Sequence, residues 1–228
     1  MQSVRAIGAQ AVLICAAIAA AVPASAQTGV EPRVWTAVSV QGRAGQDSAW
    51  RWAADSLLWT RNGARTMDFV AEGFSVSRDL TPQSSLGIGY AYGAAFPDGG
   101  SMREHRFVQQ YAWSAGSAWR VSLRTRMEER FIAGHDTVVV RVRQQVRTTW
   151  PLAAGGLRGV VSGEVFLRAN SSARGARGFE SDRVFVGIGR QVTERRYVEL
   201  GYVNLYSPRS TTGTRRGHAM SAALVLSM

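Results

Sequence analysis

Residues 179–206 read FESDRVFVGIGRQVTERRYVELGYVNLY, two alternating runs on either side of a short polar link. In the first run Val184, Val186 and Ile188 share one face, and Arg183, Phe185, Gly187 and Gly189 share the other. In the second, Val198, Leu200 and Tyr202 lie opposite Glu199, Gly201 and Val203. A period of two places successive side chains on opposite sides of a strand. The link Thr193-Glu194-Arg195-Arg196 is short enough to make the pair an antiparallel hairpin. One face is apolar and the other is polar or small. A water-soluble sheet buries such an apolar face in a core, whereas a membrane barrel turns it to lipid and keeps the polar face inside.

The beginning of the chain favours export. MQSVRAIGAQAVLICAAIAAAVPASAQ has Arg5 in a positive leader, an apolar stretch from Ala9 to Val22 and Ala24-Ser25-Ala26 as a cleavage pattern. We expect a signal peptide over residues 1–26 and a single domain over 27–228. The apolar run is shorter than the ~20 residues that a membrane-spanning helix needs. Cys15 lies in the leader and is the only cysteine, so disulfides and thiolate metal sites are excluded from the cleaved chain. No later stretch approaches a transmembrane helix. The two fates of such an exported chain are a soluble periplasmic or secreted β-protein and an outer-membrane barrel.

The 27 basic residues outweigh 16 acidic ones, and every basic residue is arginine. On an intracellular protein such a surplus would suggest nucleic acid. Here the leader argues against it, and the arginines sit at alternating strand positions and in turns. They suit a polar lumen or a surface facing anionic lipopolysaccharide.

Alternation recurs along the chain. SLGIGYAY sets Leu86, Ile88, Tyr90 and Tyr92 against Gly87, Gly89, Ala91 and Gly93. WRVSLRTRMEER sets Trp119, Val121, Leu123, Thr125 and Met127 against Arg120, Ser122, Arg124, Arg126 and Glu128. The next run sets Val138, Val140 and Val142 against Val139, Arg141, Arg143, Gln145 and Arg147, and the one after sets Val161, Val165 and Leu167 against Ser162, Glu164, Phe166 and Arg168. Trp50 and Trp59, nine residues apart, suggest the two interfaces of one strand. HAMSAALVLSM alternates to the last residue, as outer-membrane barrels commonly do. Met228 stands where the aromatic read by the barrel-assembly machinery is usual.

Short links after Ser77, Trp113, Arg147 and Arg190 alternate with loops after Tyr92, Phe131, Asn170 and Tyr206, as short periplasmic turns alternate with long outer loops. The expectation is an all-β, antiparallel, up-and-down transmembrane barrel of ten strands from Trp50 onward. The run at Val34 would make eleven, an odd count, so it lies outside the wall or a missed strand makes twelve.

EHRFVQQ at 104–110, the R-x-R-x-E-E-R run at 124–130, V-R-V-R-x-Q at 140–145, GEVFL at 163–167, DRVFVGIG at 182–189 and VELGYVNLY at 198–206 resemble the bacterial family named domain of unknown function 2490. The resemblance implies an outer-membrane barrel and no particular activity.

The candidate site is the inward ladder of Arg120, Arg124, Arg126, Glu128, Arg141, Arg143, Glu164 and Arg168. Such a lumen selects anions or lines a narrow pore. The preferred reading is plainer: Arg–Glu pairs fill and stiffen a small barrel. His105, His135 and His218 invite comparison with barrel lipid hydrolases, but no nucleophile motif accompanies them. No metal-ligand spacing and no cofactor motif is present, and no catalytic residue is assigned. The expected role is therefore structural or interaction, in the Gram-negative outer membrane, with lipid, lipopolysaccharide and the assembly machinery as partners and no nucleic acid. A narrow anion channel and a lipid-modifying enzyme are the alternatives.

Overall fold

Alternation becomes a closed wall. The computed structural model describes residues 33–97, 100–152, 155–172, 175–210 and 213–228, with side chains except over 209–216. The leader expected at 1–26 lies outside the described residues. Eleven strands follow one another: β1 (Arg33–Arg43), β2 (Trp50–Arg61), β3 (Thr66–Thr81), β4 (Ser84–Ala95), β5 (Met102–Ala115), β6 (Arg120–Ile132), β7 (Val139–Pro151), β8 (Leu157–Arg168), β9 (Gly178–Thr193), β10 (Arg196–Ser210) and β11 (Gly213–Ser227). Each pairs with the next in antiparallel fashion, and β1 closes the barrel on β11.

The count corrects the expected ten. The run at Val34 is part of the wall, and no twelfth strand completes an even number among the described residues. Up-and-down order makes the first and eleventh strands point the same way. The closing pair is therefore parallel, with Ala37 opposite Ala223 and Gln41 opposite Ser227. It follows that Arg33 begins at one rim and Met228 ends at the other. The links between β1 and β2, β3 and β4, β5 and β6, β7 and β8, and β9 and β10 lie at the C-terminal rim. The remaining links lie at the N-terminal rim.

Links match their turn chemistry in places. Asn62 and Gly63 take φ of 55° and 64° between β2 and β3, the left-handed conformation that an Asn-Gly turn supplies. The stretch 207–217, read from sequence as a long loop, is largely strand, since β10 runs to Ser210 and β11 starts at Gly213. Every strand has 11 to 16 residues, at or above the ~9–11 that a tilted strand needs to cross a bilayer.

The expected faces hold. Leu86, Ile88, Val184, Val186 and Leu200 point outward and are exposed. The inside is filled. An apolar cluster of Trp35, Val160, Phe185, Val203 and Ala219 occupies part of it, with Trp59 and Leu205 packed alongside. Trp35 and Trp59 stack at 4.3 Å between centroids. Trp50 and Trp59 therefore do not mark two interfaces of one strand. An odd separation puts them on opposite faces, Trp50 outside and Trp59 inside. Inward Gly187 lies opposite Gly201, and the Phe185 ring covers both.

Candidate functional site

Period and register together assemble the charged lumen. On β6 the even-numbered residues from Ser122 to Ile132 face inward. On β7 the odd-numbered residues from Val139 do so, and on β8 the even-numbered ones. Glu128 then lies opposite Arg141, Arg126 opposite Arg143, Gln145 opposite Glu164, and Glu164 opposite Arg183. The directly opposed cations Arg126 and Arg143 are separated because Arg143 leans along the wall. Its Nη1 reaches Glu128 Oε1 at 2.6 Å, and its Nε reaches Glu164 Oε1 at 3.0 Å.

Each buried carboxylate is shared by two or more guanidiniums. Glu128 also accepts from Arg141 Nε at 2.8 Å and Nη2 at 2.5 Å. Glu164 also accepts from Arg183 Nε at 2.7 Å. Glu104 accepts from Arg130 Nε at 2.9 Å and from Arg106. These three glutamates are 1–2% exposed. Charge-assisted pairing of this kind, with guanidiniums on both oxygens, is what makes a buried carboxylate tolerable. Phe166 supplies the apolar support: the guanidinium carbons of Arg141, Arg143 and Arg183 stand 5.2, 4.9 and 5.3 Å from its ring centroid.

Two further groups extend the network. Arg147 on β7 pairs with Glu199 on β10 across the lumen, and Tyr197 donates to Glu199 at 3.2 Å. Glu180 lies 3.6–3.8 Å from Arg130, Arg141 and Arg168. It gets there through a β-bulge: Phe166 pairs with Ser181 and Leu167 with Phe179, so Glu180 is the extra residue.

Of the eight candidates, Glu128, Arg141, Arg143 and Glu164 form the centre. Arg168 joins through Glu180, and Arg124 approaches Glu164 only at 3.8 Å. Arg126 donates Nε to Gln110 Oε1 at 2.6 Å. Arg120 opens β6 at the C-terminal rim, exposed and away from the centre. Glu104, Arg106, Arg130, Arg147, Glu180, Arg183 and Glu199 are members that the candidate set did not include.

Toward the C-terminal rim the filling ends in a cavity of about 450 Å³, which reaches from Arg43, Ser227 and Met228 inward to Arg124 and Arg126. Gln110, Asp55 and the small residues Ser39, Ser75 and Ser77 complete much of its wall. A second pocket of about 60 Å³ lies alongside, against Gly87, Gly89 and Ala91, where β4 presents almost no side chain to the lumen.

The histidines do not join these residues. His105 and His218 are on the outer face, where His105 Nδ1 lies 2.6 Å from Tyr90 Oη and His218 meets Tyr202 Oη. His135 lies in the link after β6, its backbone N–H bonded to Ile132 O at 3.1 Å. Among the described residues no group of three or more His, Cys, Asp and Glu is placed to hold a metal ion.

A family model described as "Protein of unknown function (DUF2490)" matches residues 33–216. An uncharacterized protein of Methylorubrum extorquens is 28% identical over 213 residues, which cover 91% of this chain and 92% of that protein. The family match begins at the first residue of β1 and runs through the whole charged lumen into β11, and the chain belongs to the DUF2490 family of proteins of unknown function.

Proposed function

We propose that this protein is an outer-membrane β-barrel of a Gram-negative cell, exported through a cleaved leader, with its lumen closed by its own Arg–Glu network and with a structural or interaction role rather than a catalytic one. The observation that carries this reading is the inversion of polarity between the two faces of the wall. Large apolar side chains cover the outside, among them Phe74, Leu86, Ile88, Phe107, Val186 and Met220, while glutamates that are 1–2% exposed lie inside. In water each such side chain left outside forgoes about 1.5–3 kcal/mol of burial, whereas in lipid it forgoes nothing. Thr125 and Gln144 interrupt the outer belt as a mutually bonded, uncharged pair, Thr125 Oγ1 donating to Gln144 Oε1 at 2.6 Å. Lipid, lipopolysaccharide and the barrel-assembly machinery are the partners that this reading requires.

Fractionation of cells expressing the full chain tests it. Retention in the outer membrane, with faster migration of the unheated sample in gel electrophoresis, is the expected result. A soluble product whose mobility does not change on heating would sink the proposal and make the outer face the buried surface of an assembly. The rim cavity favours a second reading, a narrow anion pathway. Reconstitution into planar bilayers separates the two: the closed lumen gives no unitary current, and a pathway gives anion-selective steps.

A further inference from the structure

The lumen holds more guanidiniums than its carboxylates neutralise, and the surplus is concentrated in the rim cavity. Three of the four arginines there have weak or shared partners. Arg43 and Arg51 both pair with Asp79, at 3.2 and 2.7 Å, so one carboxylate serves two cations. Arg124 reaches Glu164 only at 3.8 Å, while that carboxylate is held more closely by Arg143 and Arg183. Its Nε is buried without a hydrogen-bond partner. The fourth, Arg126, uses Nε on the neutral Gln110. Among the described residues the one side-chain carboxylate on the cavity wall itself is Asp55.

A guanidinium carries five N–H donors in a planar fork. Cations held close together in a partly dehydrated space repel unless an anion joins them. We propose that this cavity is a binding site for a small oxyanion of the phosphate or phosphate-ester class, with Arg124 and Arg126 as its principal donors and Arg43 and Arg51 as an electropositive mouth. Oxyanions suit the site better than halides because the forks of two arginines match pairs of oxygens. The serines and Gln110 add neutral donors around them. At about 450 Å³ the cavity accommodates a phosphate with its bound water or a compact ester. Asp55 opposes the anion and sets an upper limit on affinity. The inference deepens the closed-lumen reading: the anion enters from the C-terminal rim and meets the ladder as a floor.

The test uses the folded chain in detergent, after its mobility shift on heating has been recorded, so that loss of binding is distinguishable from loss of the barrel. Inorganic phosphate and glycerol phosphate are titrated calorimetrically, with sodium chloride at equal ionic strength as the control. Saturable binding of phosphate is expected, weakened about tenfold by each of Arg124→Gln and Arg126→Gln, since a hydrogen bond to a charged group is worth about that much. Asp55→Asn moves the affinity the other way, a change that loss of folding does not produce. Binding of inorganic phosphate identifies a free anion as the ligand. Binding confined to the ester identifies a headgroup-like ligand. Heat that chloride reproduces, or phosphate binding unchanged in the Arg124→Gln/Arg126→Gln double variant, overturns the proposal.

Discussion

Glu128 is the residue on which the lumen turns: one carboxylate, 1% exposed, divided between Arg141 on Oε2 and Arg143 on Oε1. Removing its charge leaves two buried cations with one remaining close carboxylate, Glu164. Glu128→Gln is therefore expected to destabilise the barrel by about 3–5 kcal/mol, read as a lower temperature for loss of the compact electrophoretic form. Glu180→Gln should cost distinctly less, because its three arginines stand at 3.6–3.8 Å, beyond hydrogen-bonding distance. Equal losses in the two variants would show that the short bonds at Glu128 carry no special weight. Parity alone made Glu128, Arg141, Arg143 and Glu164 legible in the sequence. Glu104 is harder to read, because it is the third residue of β5, where Arg103, Glu104, His105 and Arg106 are all polar and show no alternation.

At the scale of the element, the glycines decide how closely strands carry aromatic rings inside the wall. A Cβ on Gly189 of β9 would overlap Tyr197 Oη of β10, the group that donates to Glu199. Gly189→Ala should displace that ring and loosen the Arg147–Glu199 pair, at a cost of about 1–3 kcal/mol. Adding Tyr197→Ala should recover part of the lost thermal stability if overlap is the cause. No recovery would place the cost in the backbone instead. The small inner faces of β4 and β9 were visible as alternation, but which ring lies over which glycine depends on the neighbouring strand's register. The bulge at Glu180 has the same character. Strict period-two counting from Arg183 sends Glu180 outward, and only the pairing of Ser181 with Phe166 and Phe179 with Leu167 reveals the flip.

For the molecule as a whole, the all-β class and the two polarities of the wall could be read from any one hairpin, whereas the strand count could not. It depends on whether Arg33–Arg43 finds a partner 186 or so positions away, and evenness is a habit of such barrels rather than a law of their hydrogen bonding. Eleven strands place the two rims' links on opposite sides of any bilayer that the barrel spans. Epitopes inserted after Gln83 and at 170–172 should accordingly be labelled from opposite faces of intact membranes, and labelling from one face would rule out the spanning orientation. The parallel seam also has a consequence for how the barrel assembles. Every other strand can pair as soon as its successor is in place, but β1 must wait with one bare edge until β11 arrives, and closing so long a loop is slow. Until then the growing sheet offers an unpaired β1 at one side and its newest strand at the other, each a template for a neighbouring chain. Deleting residues 213–228 would make that transient condition permanent, and the truncated sheet should be recovered as aggregate or bound to a chaperone rather than as a smaller barrel.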